Sequence, residues 1–189
     1  MSSSLTPISL LINLKTKIMC LTVNKKLHPG KKPLVAKQDM YTFKVCRNLS
    51  EDKKVCFSFY KRAQQPLGKL LKSNMDSVDR YNEIEKGLHS LQIKNNIDSN
   101  GLGTHTFDLY PIYTSSISIL LCKIPKGSKY FIGRQKDIVS NKLVLIEPLV
   151  SNTNAYSLEC RIKNCEYVSD AYKEALKIFK SYYPLPKYV

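Results

Sequence analysis

The chain has 189 residues, with hydrophobic residues at 43% and charged residues at 24%, a balance that excludes a disordered, fibrous or low-complexity protein and suits a single globular domain. The formal charge is +15 and lopsided: residues 1–80 hold 16 Lys/Arg against 5 Asp/Glu, a net of +11, while residues 81–189 hold 14 against 10, a net of +4. The amino-terminal half is therefore the one expected to meet a negatively charged partner, whether nucleic acid, a nucleotide-like ligand or an acidic protein surface.

Residues 1–18 carry an apolar run, Leu10-Leu11-Ile12, without a basic lead or a small-residue cleavage site, and too short to span a bilayer. They are expected to form a peripheral segment beside a single domain over 19–189. Residues 24–38 read as a basic loop broken by Pro29, Gly30 and Pro33. Alternation in Tyr41-Thr-Phe-Lys-Val-Cys46 predicts a strand, and Lys54–Tyr60 a second one, joined as a hairpin by the polar turn 48–53. Pro66–Leu71 reads as a turn into an extended piece, 73–86 as a loop or short helix, and Gly87-Leu-His-Ser-Leu91 as extended chain. Lys94–Thr106, rich in Asn, Gly, Asp and Thr, is expected to be a surface loop.

Ile117–Ile124 is the strongest strand signal in the chain. A turn at Pro125–Ser128 follows, with proline suited to the second position of a type I turn. Lys129–Gly133 and Asn141–Glu147 are further strands, and Tyr156–Ile162 with Glu166–Val168 a late hairpin. Asp170–Tyr182 is the clearest helix: Ala171, Tyr172, Ala175, Ile178, Phe179 and Tyr182 recur at helical steps, and Pro184 stops it. The pattern predicts an α+β fold, a mostly antiparallel sheet with one or two packed helices.

Six cysteines are present without a C-x-x-C pair, so zinc-ribbon and thioredoxin-like readings lack their signature. Cys46 and Cys122 sit in apolar strand runs, where a free cysteine behaves as a small hydrophobe, and all six are expected reduced and mostly buried. His28 and His105 stand in loops with no acidic or cysteine partner at ligand spacing, so neither a metal nor a cofactor is expected. Phosphate-cradling glycine loops and a nucleophile elbow are missing from the sequence. What remains is a set of ligand-binding candidates: Lys44 and Arg47 on the first strand, Gly87, His89 and Ser90 on the Gly-x-His-Ser segment, and Tyr130. The glycine before His89 would allow close backbone approach, and the histidine suits ligand contact or proton transfer. Lysines and tyrosines interleaved at Tyr41, Lys44, Tyr60, Lys61 and Arg62 would suit stacking on nucleotides, although strand lysines on a solvated sheet look the same.

Met19-Cys-Leu, Ala36–Cys46, Gly68-Lys69, Lys86-Gly-Leu-His-Ser90, Cys122–Tyr130 and Val139-Ser-Asn-Lys-Leu143 stand in an order that resembles small uncharacterised proteins of Bacteroides-type bacteria and their phages. The resemblance covers roughly 19–146. It implies a phage-type accessory protein of the bacterial host cytoplasm, or a virion structural or assembly component, with no activity to carry over; a host or phage protein is a further candidate partner, and no membrane association is expected from so short an apolar run. The motif order is also similar to that of ADP-ribosyltransferase-type enzymes, with Lys44 or Arg47 and then His89 and Ser90 filling the early places. Lys142 stands where such an enzyme acting on a nicotinamide dinucleotide would need an acid, and Glu147 follows several residues late. The leading expectation is a non-catalytic protein that binds a negatively charged partner through its basic amino-terminal half.

Overall fold

The computed structural model describes residues 21–58, 63–75, 77–84, 86–93, 116–134, 137–154 and 173–183, excluding the side chains of 47, 48, 116, 117 and 152–154. The expectations for 1–18, 94–106 and 156–168 lie outside the described residues.

The central element is β3 (Met40–Leu49), a run whose alternation buries both faces. Along one edge it pairs antiparallel with β9 (Ser116–Ile124) from Met40↔Ile124 to Cys46↔Ser118. Its other edge is shared. The amino-terminal end pairs with β8 (Leu88–Gln92) at Thr42↔Gln92 and Phe43↔Leu91. From Cys46 onward the same edge belongs to β4 (Val55–Ser58), joined to β3 by the expected hairpin. Beyond β9 lies β12 (Lys142–Asn154), with register shifts after Leu145, Pro148 and Val150, and β12 in turn pairs with β6 (Leu70–Lys72). Beyond β8 lie β11 (Asp137–Ser140), β10 (Lys129–Ile132) and β2 (Leu34–Val35), all antiparallel. A short pair, β1 (Leu21–Thr22) with β7 (Glu83–Ile84), stands apart.

The sheet closes on itself. β5 (Gln64–Pro66) pairs with β4 and runs almost directly into β6. At the junction Leu67 N donates to Lys54 O (2.8 Å) and Gly68 N to Leu145 O (2.7 Å), so one chain segment bonds first to one side of the sheet and then to the other. Gly68, at φ +72°, supplies the left-handed bend there. This link joins the β4–β5 side of the sheet to the β6–β12 side and creates an inside, while β2 remains an edge strand.

Alternation along β3 sorts the core. Met40, Thr42, Lys44 and Cys46 face inward with Leu120, Cys122 and Ile124 of β9, against Leu143, Leu145, Ile138 and Ile132. Tyr41, Phe43 and Val45 face outward with Ile119 and Leu121, and α1 (residues 173–182) covers them through Ala175, Leu176 and Phe179. The helix is where the periodicity puts it, with one correction. Tyr182 is 78% exposed, and Tyr183 turns inward instead to stack on Phe179 at 5.2 Å. Ala175, Phe179 and the partly buried Tyr183 advance by four-residue steps along one face, with Leu176 three residues before Phe179, and residue 182 leaves that face.

The 125–128 turn also differs from expectation. Ser128 N bonds to Pro125 O (3.1 Å), so the proline occupies the first position of the turn, and Gly127, at φ +78° in the third, gives it type II geometry.

Candidate functional site

Two places gather polar chemistry: the seam where β3 and β8 part, and the loop-and-turn surface at the β1–β7 end.

At the seam, Thr42↔Gln92 and Phe43↔Leu91 are the last paired positions before β8 diverges and β4 takes over the edge from Cys46. Continuing the register would set Lys44 opposite Ser90. The lysine bridges the gap with its side chain instead: Nζ donates to the carbonyl oxygen of His89 at 2.8 Å. Ser90 faces Ile138 across β8–β11, and Thr42 faces Cys122 across β3–β9, which places both hydroxyls on the interior face with Lys44. Lys44 is 8% exposed, Ser90 5% and Thr42 0%. The hydroxyl oxygens of Thr42 and Ser90 have no hydrogen-bond partner among the described residues.

The seam thus bonds Lys44 to the backbone of His89 and sets it on the same interior face as Ser90. The His89 side chain belongs to the other face, beside Val139. Gly87 does allow close approach: at φ +147°, a Cβ there would collide with Val139 Cγ1. The close approach it permits is that of β8 to β11. Tyr130 is buried in the same interior wall, in a row with Ser140 and Leu88, one residue row from Ser90, and burial raises its hydroxyl above the usual tyrosine range. Arg47 lies on β3, with its side chain outside the described residues. Tyr41 is packed against Phe179 and Tyr183, so it is not a stacking surface, and residues 60–62 lie outside the described residues.

Below the seam Cys46, Cys56 and Cys122 are all free and buried, as expected for these three. The Cys46 thiol donates to Ser118 O at 3.7 Å and the Cys56 thiol to Gln65 Oε1 at 3.9 Å, and the neighbouring Cys56 thiol together with burial pushes Cys46 up. Among the described residues no group of three or more His, Cys, Asp or Glu could hold a metal ion. Glu147 stands on the helix side of the sheet and accepts a hydrogen bond from the Tyr183 hydroxyl at 3.2 Å, facing away from Ser90.

The second place is built from the basic loop. His28 is buried, and Ile132 N donates to its Nε2 at 2.9 Å. Nδ1 therefore carries the proton and donates to Lys32 O at 3.0 Å. Burial lowers the pKa of this imidazole below the usual histidine value, with the Lys32 carbonyl opposing. Asn24 N bonds Ile132 O (2.9 Å), and the amides of Leu27 and His28 return to Asn24 O. The loop is thereby bolted to β10 and presents Lys25, Lys26, Lys31 and Lys32 to solvent. The turn 79–82 packs beside it: Val23 N bonds Asn82 O (2.8 Å) and Lys31 Nζ donates to Asp79 O (2.6 Å). The Asp79 carboxylate is occupied in fixing that turn, accepting from the amides of Tyr81 (2.8 Å) and Glu83 (2.7 Å). At its tip Tyr81 is 63% exposed with the Arg80 guanidinium 4.7 Å over its ring. Arg134, exposed, flanks the other side through Arg134 N→Thr22 O (2.9 Å).

The sequence reading noted the basic loop but missed Arg80-Tyr81. The available signal was Asp79-Arg-Tyr-Asn82, an aspartate able to cap its own turn, ahead of a strand. Compared with known proteins, the chain matches no family model, no curated protein and no solved structure. Among the described residues no helix is long and apolar enough to cross a membrane.

Proposed function

We propose that this protein is a phage-type accessory protein that binds single-stranded nucleic acid, without catalysis, on the surface formed by the 24–32 loop and the 79–82 turn. The observation that carries the reading is the Arg80–Tyr81 pair, an exposed aromatic ring backed by a guanidinium and set against the lysine-bearing loop. Non-specific single-strand binding combines a cationic surface that follows the phosphates with an aromatic face on which a base stacks. Lys25, Lys26, Lys31, Lys32 and Arg80 all come from the first 80 residues, where the charge excess lies. An acidic protein surface would use the lysines but leave the exposed tyrosine without a task.

A binding role is also favoured over the transferase-like alternative, because Ser90 faces the interior while Glu147 lies on the helix side and is engaged by Tyr183. Fluorescence anisotropy with a labelled single-stranded oligonucleotide tests the proposal. Binding should weaken steeply with salt, exceed that of a duplex of equal length, and outcompete an acidic polypeptide. A flat titration at low salt, or preference for the acidic polypeptide, refutes it.

A further inference from the structure

Lys44 is a buried ammonium whose one described hydrogen bond goes to a neutral carbonyl, that of His89. No carboxylate lies within ion-pair distance of it among the described residues. A charge so placed is costly unless a counter-charge and further hydrogen bonds compensate it. On the same interior face, the Thr42 and Ser90 hydroxyls are also buried without a partner. An isolated orphan hydroxyl is rare in a folded protein, and here two of them share a wall with an under-coordinated cation.

We infer that the β3–β8 seam is a binding site for a small oxyanion, a phosphate or carboxylate group. Lys44 would neutralise it, and the hydroxyls of Thr42 and Ser90 would donate to its oxygens. Each missing interaction is of the kind such a group supplies: negative charge for an ammonium with two protons to spare, and acceptor lone pairs for two idle O–H donors. The way in is the splay itself. β8 leaves β3 after Phe43 and β4 does not join until Cys46, so this edge of β3 has no backbone ladder beside Lys44 and Val45, which pair only with β9 on the opposite edge. The inference is independent of nucleic-acid binding at the rim, since it uses none of the same residues.

The test is isothermal titration of the full chain with inorganic phosphate, sulfate and acetate separately, in a buffer free of other oxyanions, with parallel thermal melts. At least one of the three should bind at one equivalent and raise the melting temperature. Preference for phosphate would assign a phosphorylated ligand and preference for acetate a carboxylate ligand, and both support the site. Lys44→Met should abolish the binding while leaving the oligonucleotide titration unchanged. Should that variant fail to fold, the double variant Thr42→Val, Ser90→Ala answers the same question, with affinity falling by roughly tenfold or more. The inference fails if none of the three anions binds stoichiometrically, or if either variant binds as the parent does.

Discussion

The amide of Ile132 donates to Nε2 of His28 over 2.9 Å, and that bond holds a lysine-rich loop against the sheet. It requires the neutral imidazole, because a protonated ring has no lone pair to accept it. Since the folded-state pKa is lowered, the unfolded chain binds the proton more readily. The stability from this histidine is full above its unfolded value near 6.5 and is lost as pH falls through the lower folded value. His28→Leu should remove that acid sensitivity. It should also cost about 2–4 kcal/mol at neutral pH, from a stranded amide and carbonyl, measured by urea denaturation at several pH values.

Asp137 should behave in the opposite sense. Its carboxyl packs against Gly133, and burial pushes its pKa from 3.8 to about 6, the bond to its own backbone opposing. The folded state therefore holds the proton more tightly. Stability is greatest below about pH 4 and is lost as pH rises through about 6, a penalty of at most about 3 kcal/mol at pH 7. Asp137→Asn should raise stability at pH 7 and flatten that interval. Measuring it in the His28→Leu background separates the two opposed slopes.

Gly87→Ala should destabilise the protein by about 1–3 kcal/mol. A Cβ at that position collides with Val139 Cγ1, and φ of +147° is a conformation side chains rarely adopt. Chemical denaturation would read the loss. A variant as stable as the parent would show that β8 and β11 do not approach as described.

Phe179→Ala should cost about 3–5 kcal/mol in the same assay. The ring is fully buried, lies edge-on to Phe43 at 5.8 Å and stacks on Tyr183. It is the main contact by which α1 covers the outer face of β3. Tyr182→Ala, three residues on but exposed, should change stability by less than about 0.5 kcal/mol.

Much of this architecture was legible in the sequence because it depends on periodicity. The alternation of Tyr41–Cys46 and Ile117–Ile124 and the 175–179 spacing each declare a local conformation. β11 was harder to see: at four residues, Asp137–Ser140, it is too short for a pattern and exists because β8 and β10 pair on either side. Closure of the sheet through Leu67-Gly68 is a relation between residues some eighty positions apart, which no local window carries. The site was half legible. Lys44 and Ser90 were singled out by residue type. Thr42 reads as an ordinary strand threonine, and only its place on the buried interior face, opposite Cys122, shows its hydroxyl to be an orphan. For His89 the sequence suggested the ring, whereas the seam uses the carbonyl, because alternation turns the side chain to the other face.

The most direct measurement for the central claim is oligonucleotide affinity in Tyr81→Ala and Tyr81→Phe, each checked for an unchanged thermal melt. Loss of one stacked base is worth roughly 1–3 kcal/mol, so Tyr81→Ala should weaken single-strand binding by about 5- to 150-fold while Tyr81→Phe keeps the parent affinity. Equal affinity in all three proteins would contradict the account, since the lysines alone would then explain whatever binding is seen.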